Sequence, residues 1–182
     1  MAKVIIHATM TLDGFIARPN DEIDWAFKYD ADEMVKGIMA EIGAVVMGNR
    51  GYISEDALPY GGQIQVPQFV VTHKPRDPAT IGGLTFTFVD NIERAVALAK
   101  VAAGEKSVTL LGASIYQQCL NAGLVDEILI HLAPILIGEG IRLFDNLKSG
   151  DTELERIELA ATGRITSLRF RVLASSSVDQ AA

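Results

Sequence analysis

Apolar and polar positions fall in blocks along the chain, and the period within each block indicates its element. Val4 to Thr9 is a short apolar run, the pattern of a strand buried on both faces. Asp13-Gly14 marks a turn, Phe15-Ile16-Ala17 resumes apolar character, and Pro19-Asn20-Asp21 marks a second turn. From Asp30 to Ile42 the period is helical. Met34, Val35, Ile38, Met39 and Ile42 form one stripe, Asp30 and Glu33 have capping-box spacing, and Gly43 supplies a stop. Ala44 to Met47 is a short buried strand that empties into Gly48-Asn49-Arg50-Gly51-Tyr52. A polar, Gly-rich stretch with Pro59 and Pro67 reads as loop. Phe69 to Thr72 reads as a strand, Pro75 to Gly83 as a loop and Leu84 to Val89 as a strand. Asp90 and Glu93 repeat the capping-box spacing and open an Ala-rich helix ending near Gly104.

Ser107 to Leu111 is an apolar strand followed at once by Gly112, Ala113 and Ser114 and then by a helix that stops at Gly123. Glu127 to Leu132 is another strand. Beyond Pro134 the helical period disappears. Ile135 to Ile137, Leu154 to Ala161 and Arg164 to Leu173 read as strands, the last two joined by a hairpin at Thr162-Gly163. Alternating strand and helix, then strands alone, predicts an α/β domain over residues 1–173. Its sheet is mostly parallel, with helices on both faces and an antiparallel C-terminal edge. The small polar stretch 174–182 is expected to be a disordered tail.

In sheets of this kind ligands bind beyond the carboxyl ends of the strands. Those ends carry Thr9, Gly48, Thr72-His73-Lys74 and Gly112-Ala113-Ser114, all expected to face one crevice. A strand, a small-residue turn and a helix N-terminus can cradle an anion, because the first helical N–H groups have no partner within the helix. The same small residues can also serve tight packing alone.

Composition narrows the function classes. The chain has 182 residues and a net charge of -7. No basic stripe is present to meet a nucleic-acid backbone, so nucleic acid is not an expected partner. The single cysteine, Cys119, allows no intrachain disulfide and reads as a small buried hydrophobe. MAKVIIHATM reads as a first strand and not a leader, and no segment approaches membrane-spanning length. A cytoplasmic location without membrane association is the expectation. The three histidines lack metal-ligand spacing, so no metal is expected.

Five segments in order carry a resemblance: MTLDGFIA (Met10 to Ala17), VVMGNRGY (Val45 to Tyr52), VVTHKP (Val70 to Pro75), LLGASIYQQCL (Leu110 to Leu120) and LVDEILIHLAPILIGEGIRLF (Leu124 to Phe144). Together they resemble the dihydrofolate reductase superfamily, and within it the branch related to the reductase domain of bacterial riboflavin biosynthesis. The resemblance implies a dihydrofolate-reductase-like three-layer fold. It also implies an NADPH-dependent reductase, with NADH as the alternative donor, acting on a small pterin-like or pyrimidine heterocycle. Ala8 and Thr9 would bond the nicotinamide carboxamide through their backbone, and Ile16 and Ala17 would wall the ring. Gly48, Asn49, Arg50 and Gly51 would hold phosphate. Thr72, His73 and Lys74 would lie by the adenosine ribose and its 2′-phosphate. Gly112, Ala113, Ser114 and Ile115 would hold the pyrophosphate. Gly138-Glu139-Gly140 would lie near the contacts of a homodimer. The chain departs from the family pattern at Asn49, usually arginine, at Gly51, usually threonine, and at Leu111, usually glycine. Two further readings stand beside this one: a ribosylaminopyrimidine reductase of the riboflavin-biosynthesis type, and a nucleotide-binding protein of the same fold with little catalysis.

Hydride transfer needs the donor ring held against a flat, electron-poor ring with water excluded, and a proton must also reach the acceptor. Asp32 falls where the family keeps its substrate-binding carboxylate and is the candidate catalytic acid. By position alone it is equally a first-turn helix carboxylate. Trp25, the only tryptophan, either lids the substrate pocket or packs. Asp13 is either a turn aspartate bonding its own backbone or part of a loop beside the nicotinamide. His73, Lys74 and Arg76 form a small basic cluster on an acidic protein, whereas His7 and His131 fall within strands.

Overall fold

The β-branched and aliphatic runs form the strands of one large sheet in the computed structural model, which describes residues 1–29, 32–53, 62–148 and 150–173, the side chains of 32–35 and 53 excepted. The strands are β1 (Val4–Thr11), β3 (Ile42–Gly48), β4 (Gln68–Val71), β5 (Ala79–Ile81), β6 (Leu84–Val89), β7 (Ser107–Leu111), β8 (Glu127–Ala133), β10 (Leu154–Thr162) and β11 (Ile165–Val172). Their order is β10-β11-β8-β1-β7-β3-β4-β6-β5. The run from β8 through β6 is parallel, β11 and β10 add an antiparallel edge, and β5 is antiparallel to β6 at the other edge. A second, two-stranded sheet pairs β2 (Phe15–Ala17) with β9 (Ile141–Arg142).

Alternate strand positions face opposite layers. Val4, Ile6, Ala44, Val46, Val108, Leu110 and Ile128 meet α3 (Ile92–Ala103) and α4 (Ala113–Asn121) in the larger core. Val45, Met47, Val70, Phe86 and Phe88 face the other way, with Ile38 and Met39 of α1 (Asp32–Glu41) packed against them. The result is the expected three-layer α/β fold. Most of the interior strand side chains are fully buried, and each such aliphatic side chain contributes about 1.5–3 kcal/mol.

Several local expectations are corrected. α1 ends at Glu41, and Gly43 lies inside β3 and is not a helix stop. A Cβ at Gly43 would stand 2.7 Å from the Ala103 carbonyl oxygen, so glycine there permits β3 to approach the end of α3. α3 is capped by Asn91, whose side chain accepts from Arg94 N at 2.8 Å, and not by Asp90. The expected loop from Pro75 to Gly83 contains β5. Residues Ile135 to Ile137 form no strand, and pairing with β2 falls to Ile141–Arg142. The last hairpin turns at Gly163-Arg164, because Thr162 and Ile165 are cross-strand partners. The Asp30–Glu33 capping box, the loop around Pro59 and the segment 174–182 lie outside the described residues.

Candidate functional site

The register places the predicted turns in one row. Ile6 and Val46 both pair with Leu110, and Gly48 pairs with Val71. Two residues beyond Leu110, Gly112 therefore stands level with Ala8 on one side and Gly48 on the other, with Val71 and Thr72 beyond. Adjacent strands are about 4.8 Å apart, so the row from β1 to β4 spans about 14 Å across three spacings. An extended two-part ligand fits such a length better than a compact one.

The centre of the row is small and uncapped. Gly112 is the N-cap of α4 with φ 96°, a left-handed conformation that favours glycine, and no side chain among the described residues caps the helix. A Cβ at Gly112 would meet nothing within 4 Å among the described residues. Ser114 is exposed, and its Oγ accepts from Gln118 Nε2 at 2.9 Å. Ile115 is buried against Gly48, whose Cβ, if present, would stand 3.6 Å from the isoleucine side chain. The two small-residue turns thus lie side by side. Asn49, Arg50 and Gly51 open the five-residue α2 (Asn49–Ile53). Arg50 is largely exposed and 3.9 Å from Asp21, a pair too solvated to hold the arginine firmly.

The ends of the row differ in chemistry. On the β4 side, Thr72 N donates to Val89 O, Lys74 N donates to Thr72 Oγ1, and His73, Lys74 and Arg76 are exposed. The Arg76 guanidinium lies 4.2 Å from the Phe88 ring centroid and 4.8 Å from that of Tyr52. On the β1 side, Ala8 and Ala17 are buried, and Ile16 and Thr9 are half-buried.

Trp25 sits in a short 3-10 helix (Asp24–Lys28) and is fully buried against Ala133 and Ile165. It is packed at the carboxyl end of β8. Its Nε1 has no hydrogen-bond partner among the described residues. Asp32 is the first residue of α1, but its side chain lies outside the described residues.

Two constellations escaped the sequence reading. The Asp13 carboxylate accepts from Ile137 N at 3.0 Å and Gly138 N at 2.8 Å, so the turn aspartate bonds a segment far along the chain. Thr11 Oγ1 donates to it at 2.6 Å, and that bond leads the causes holding Asp13 below the usual carboxylate range. On the α1 side of the sheet, His7 Nε2 lies 2.9 Å from His131 Nε2, and His131 Nδ1 lies 2.7 Å from Ser167 Oγ. Burial pushes His131 down to about 4 and, with the charges of His131 and Arg169, pushes His7 lower still. Both imidazoles are therefore neutral near pH 7. Below them, Glu127 accepts from Lys3 and Arg169, and Arg169 also reaches Glu41 at the end of α1. The available signal was period two: His7 and Thr9, like Glu127 and His131, alternate with apolar neighbours.

The chain matches the RibD C-terminal domain family over residues 2–167. It is 28% identical over 156 residues to the uncharacterized protein YyaP of Bacillus subtilis, covering 80% of this chain and 82% of that one. A protein of Shewanella sp. PV-4 named for riboflavin biosynthesis superposes with a TM-score of 0.77 at 22% identity, covering 96% of this chain and all of its own. The diaminohydroxyphosphoribosylaminopyrimidine deaminase/5-amino-6-(5-phosphoribosylamino)uracil reductase of Thermotoga maritima superposes with a TM-score of 0.71 at 12% identity; the match covers 94% of this chain and 57% of that longer one.

Proposed function

Because the chain belongs to the RibD C-terminal domain family, we propose that it is a reductase that takes hydride from NADPH, with NADH as the alternative donor, and delivers it to a pyrimidine or pterin-like ring. The observation that carries this reading is the row from Ala8 through Gly112 and Gly48 to Thr72, its small-residue centre capped by no side chain among the described residues. The residues present fit a dinucleotide. The amides that open α4 and the small residues Gly112, Ala113 and Ser114 suit a pyrophosphate, with Ile115 and Gly48 closing the floor. Asn49, Arg50 and Gly51 offer further phosphate contacts from the solvent side.

The polarity of the two ends orients the ligand. Thr72, His73 and Lys74 suit an adenosine ribose and a 2′-phosphate. Ala8, Thr9, Ile16 and Ala17 suit the flat nicotinamide, their backbone groups bonding its carboxamide while apolar side chains exclude water. When bound, the cofactor supplies the hydride; the chain's part is to align it, keep water out and provide a proton. Asp32 is the acid we assign to substrate bonding and proton delivery, and Trp25 is assigned to the substrate side through its place at the end of β8. The protein acts in the cytoplasm on a small heterocycle and works as a homodimer.

Calorimetric titration of the full chain with NADPH and NADH tests the reading, followed by oxidation assays with dihydrofolate and with 5-amino-6-(5-phosphoribosylamino)uracil. Micromolar NADPH binding and turnover of a pyrimidine or pterin are expected. No binding of either nucleotide at millimolar concentration would overturn the proposal. Binding without turnover of either compound would instead identify a nucleotide-binding protein with little catalysis.

A further inference from the structure

β2 has three residues and β9 has two, and a ladder this short does not hold its own orientation. Something else must fix β2 against the end of β1. The contacts that do so converge on one side chain. The Asp13 carboxylate takes Thr11 Oγ1 on one side and the backbone amides of Ile137 and Gly138 on the other, at 2.6, 3.0 and 2.8 Å. Thr11, fully buried at the end of β1, in turn accepts from Phe15 N at 2.9 Å, the first residue of β2. Arg142 adds to the join from β9. Its Nη1 donates to the Asp13 carbonyl at 3.3 Å, and its guanidinium lies 4.5 Å from the Phe15 ring centroid. Two backbone bonds, Leu12 N to Ile135 O and Leu143 N to Gly14 O, run alongside.

We propose that Asp13 is a positioning residue for the nicotinamide half of the cofactor, its carboxylate setting the angle between the end of β1 and β2. The inference rests on the proposed cofactor reading, in which Ala8 and Thr9 of β1 bond the carboxamide of that ring and Ile16 and Ala17 of β2 wall it. The Asp13 carboxylate is taken up by Thr11, Ile137 and Gly138, so it acts through the walls and not on the dinucleotide. It acts by holding the two walls at a fixed separation before the ring arrives, so that ordering them costs nothing on binding. It lies at the β1 end of the row, whereas the amides of α4 and the Thr72 to Lys74 segment take their positions from other strands. Loss of Asp13 should therefore be felt by one half of the ligand only. A merely structural aspartate would weaken both halves alike or neither.

The test compares NADPH with 2′-phospho-ADP-ribose, which lacks the nicotinamide, on the full chain by calorimetry. The wild type should bind NADPH more tightly than the fragment. Asp13→Ala should weaken NADPH about tenfold and leave the fragment within about twofold. Asp13→Asn keeps one oxygen to accept the Ile137 and Gly138 amides and should recover most of the loss. Should Asp13→Ala fail to fold, Thr11→Val removes the hydroxyl that joins Asp13 to Phe15 and should show the same selective loss. Equal weakening of both ligands, or no change in either, would overturn the assignment of Asp13. Failure of the wild type to bind either ligand would instead sink the cofactor reading beneath it.

Discussion

At the scale of single residues, the buried histidines set the acid limit of the fold. Two facing Nε2 atoms can bond only if one carries a proton and the other does not, so the pair needs at least one neutral ring. In the unfolded chain each ring protonates near pH 6.5, whereas in the fold both values are depressed, His131 to about 4. Below pH 6.5 the unfolded state binds more protons. The stabilisation is therefore complete above pH 6.5 and is lost as pH falls towards 4, by up to about 1.4 kcal/mol per unit for each ring. Urea unfolding at pH 7.5, 6.5, 5.5 and 4.5 should show this decline, and a flat profile would contradict it. Glu127 acts in the same direction lower on the scale. Its burial raises the carboxyl pKa, but the bonds from Lys3 and Arg169 outweigh that and hold it down, so its contribution is lost as pH falls through the carboxylate range. His131→Ala should cost about 2–4 kcal/mol, since it opens a cavity and strips a bond from both His7 and Ser167. For the proposed acid, Asp32→Asn should lower turnover about a hundredfold and leave NADPH affinity unchanged; unchanged turnover would return Asp32 to the role of a first-turn helix carboxylate.

At the scale of elements, the helices and strands are fixed at their junctions. Gly43 lets β3 lie against the last turn of α3, and no side chain fits between Gly43 and Ala103. Gly43→Ala should therefore cost about 1–3 kcal/mol, read as a lower urea midpoint with the slope unchanged. Asn91→Ala removes the acceptor for Arg94 N and should cost about 1 kcal/mol. Gly43 lies at the opposite end of β3 from Gly48, and NADPH affinity should be unaffected by its replacement. The junction between β1 and β2 differs from these, because β2 is short and the Asp13 carboxylate between them takes two amides from a segment more than a hundred residues away.

At the scale of the whole molecule, the sheet is covered unevenly. α1 lies on one face and α3 and α4 on the other, while the β10–β11 hairpin extends the antiparallel edge with Leu154, Ile157 and Leu159 exposed. An apolar row on an edge hairpin is a surface that a second copy of the chain can cover. A homodimer through this edge is expected to sediment as a single species. Leu159→Glu should shift it to the monomer and leave the far-ultraviolet circular dichroism unchanged. A wild type that sediments as the monomer, or an unchanged sedimentation coefficient in that variant, would overturn this expectation.

The sequence alone determined the class of the fold and the turns that stand at the carboxyl ends of its central strands. Apolar runs such as Val4 to Thr9 and Ser107 to Leu111 encode buried parallel strands, and Gly48 at the end of β3 and Gly112 after β7 mark the turns there, because these signals are local and periodic. Asn91 over Asp90 as the cap of α3, and Gly43 as a packing residue, were not legible, since each depends on a partner's position. The same holds for the side chains that bond across the fold. Asp13 reads as an ordinary turn residue until the fold brings Ile137 and Gly138 to it, and His7 and His131 read as isolated histidines until β1 and β8 lie side by side. Hydrogen bonds between distant segments leave no periodic trace in the chain, so only the tertiary structure could decide that these residues act together.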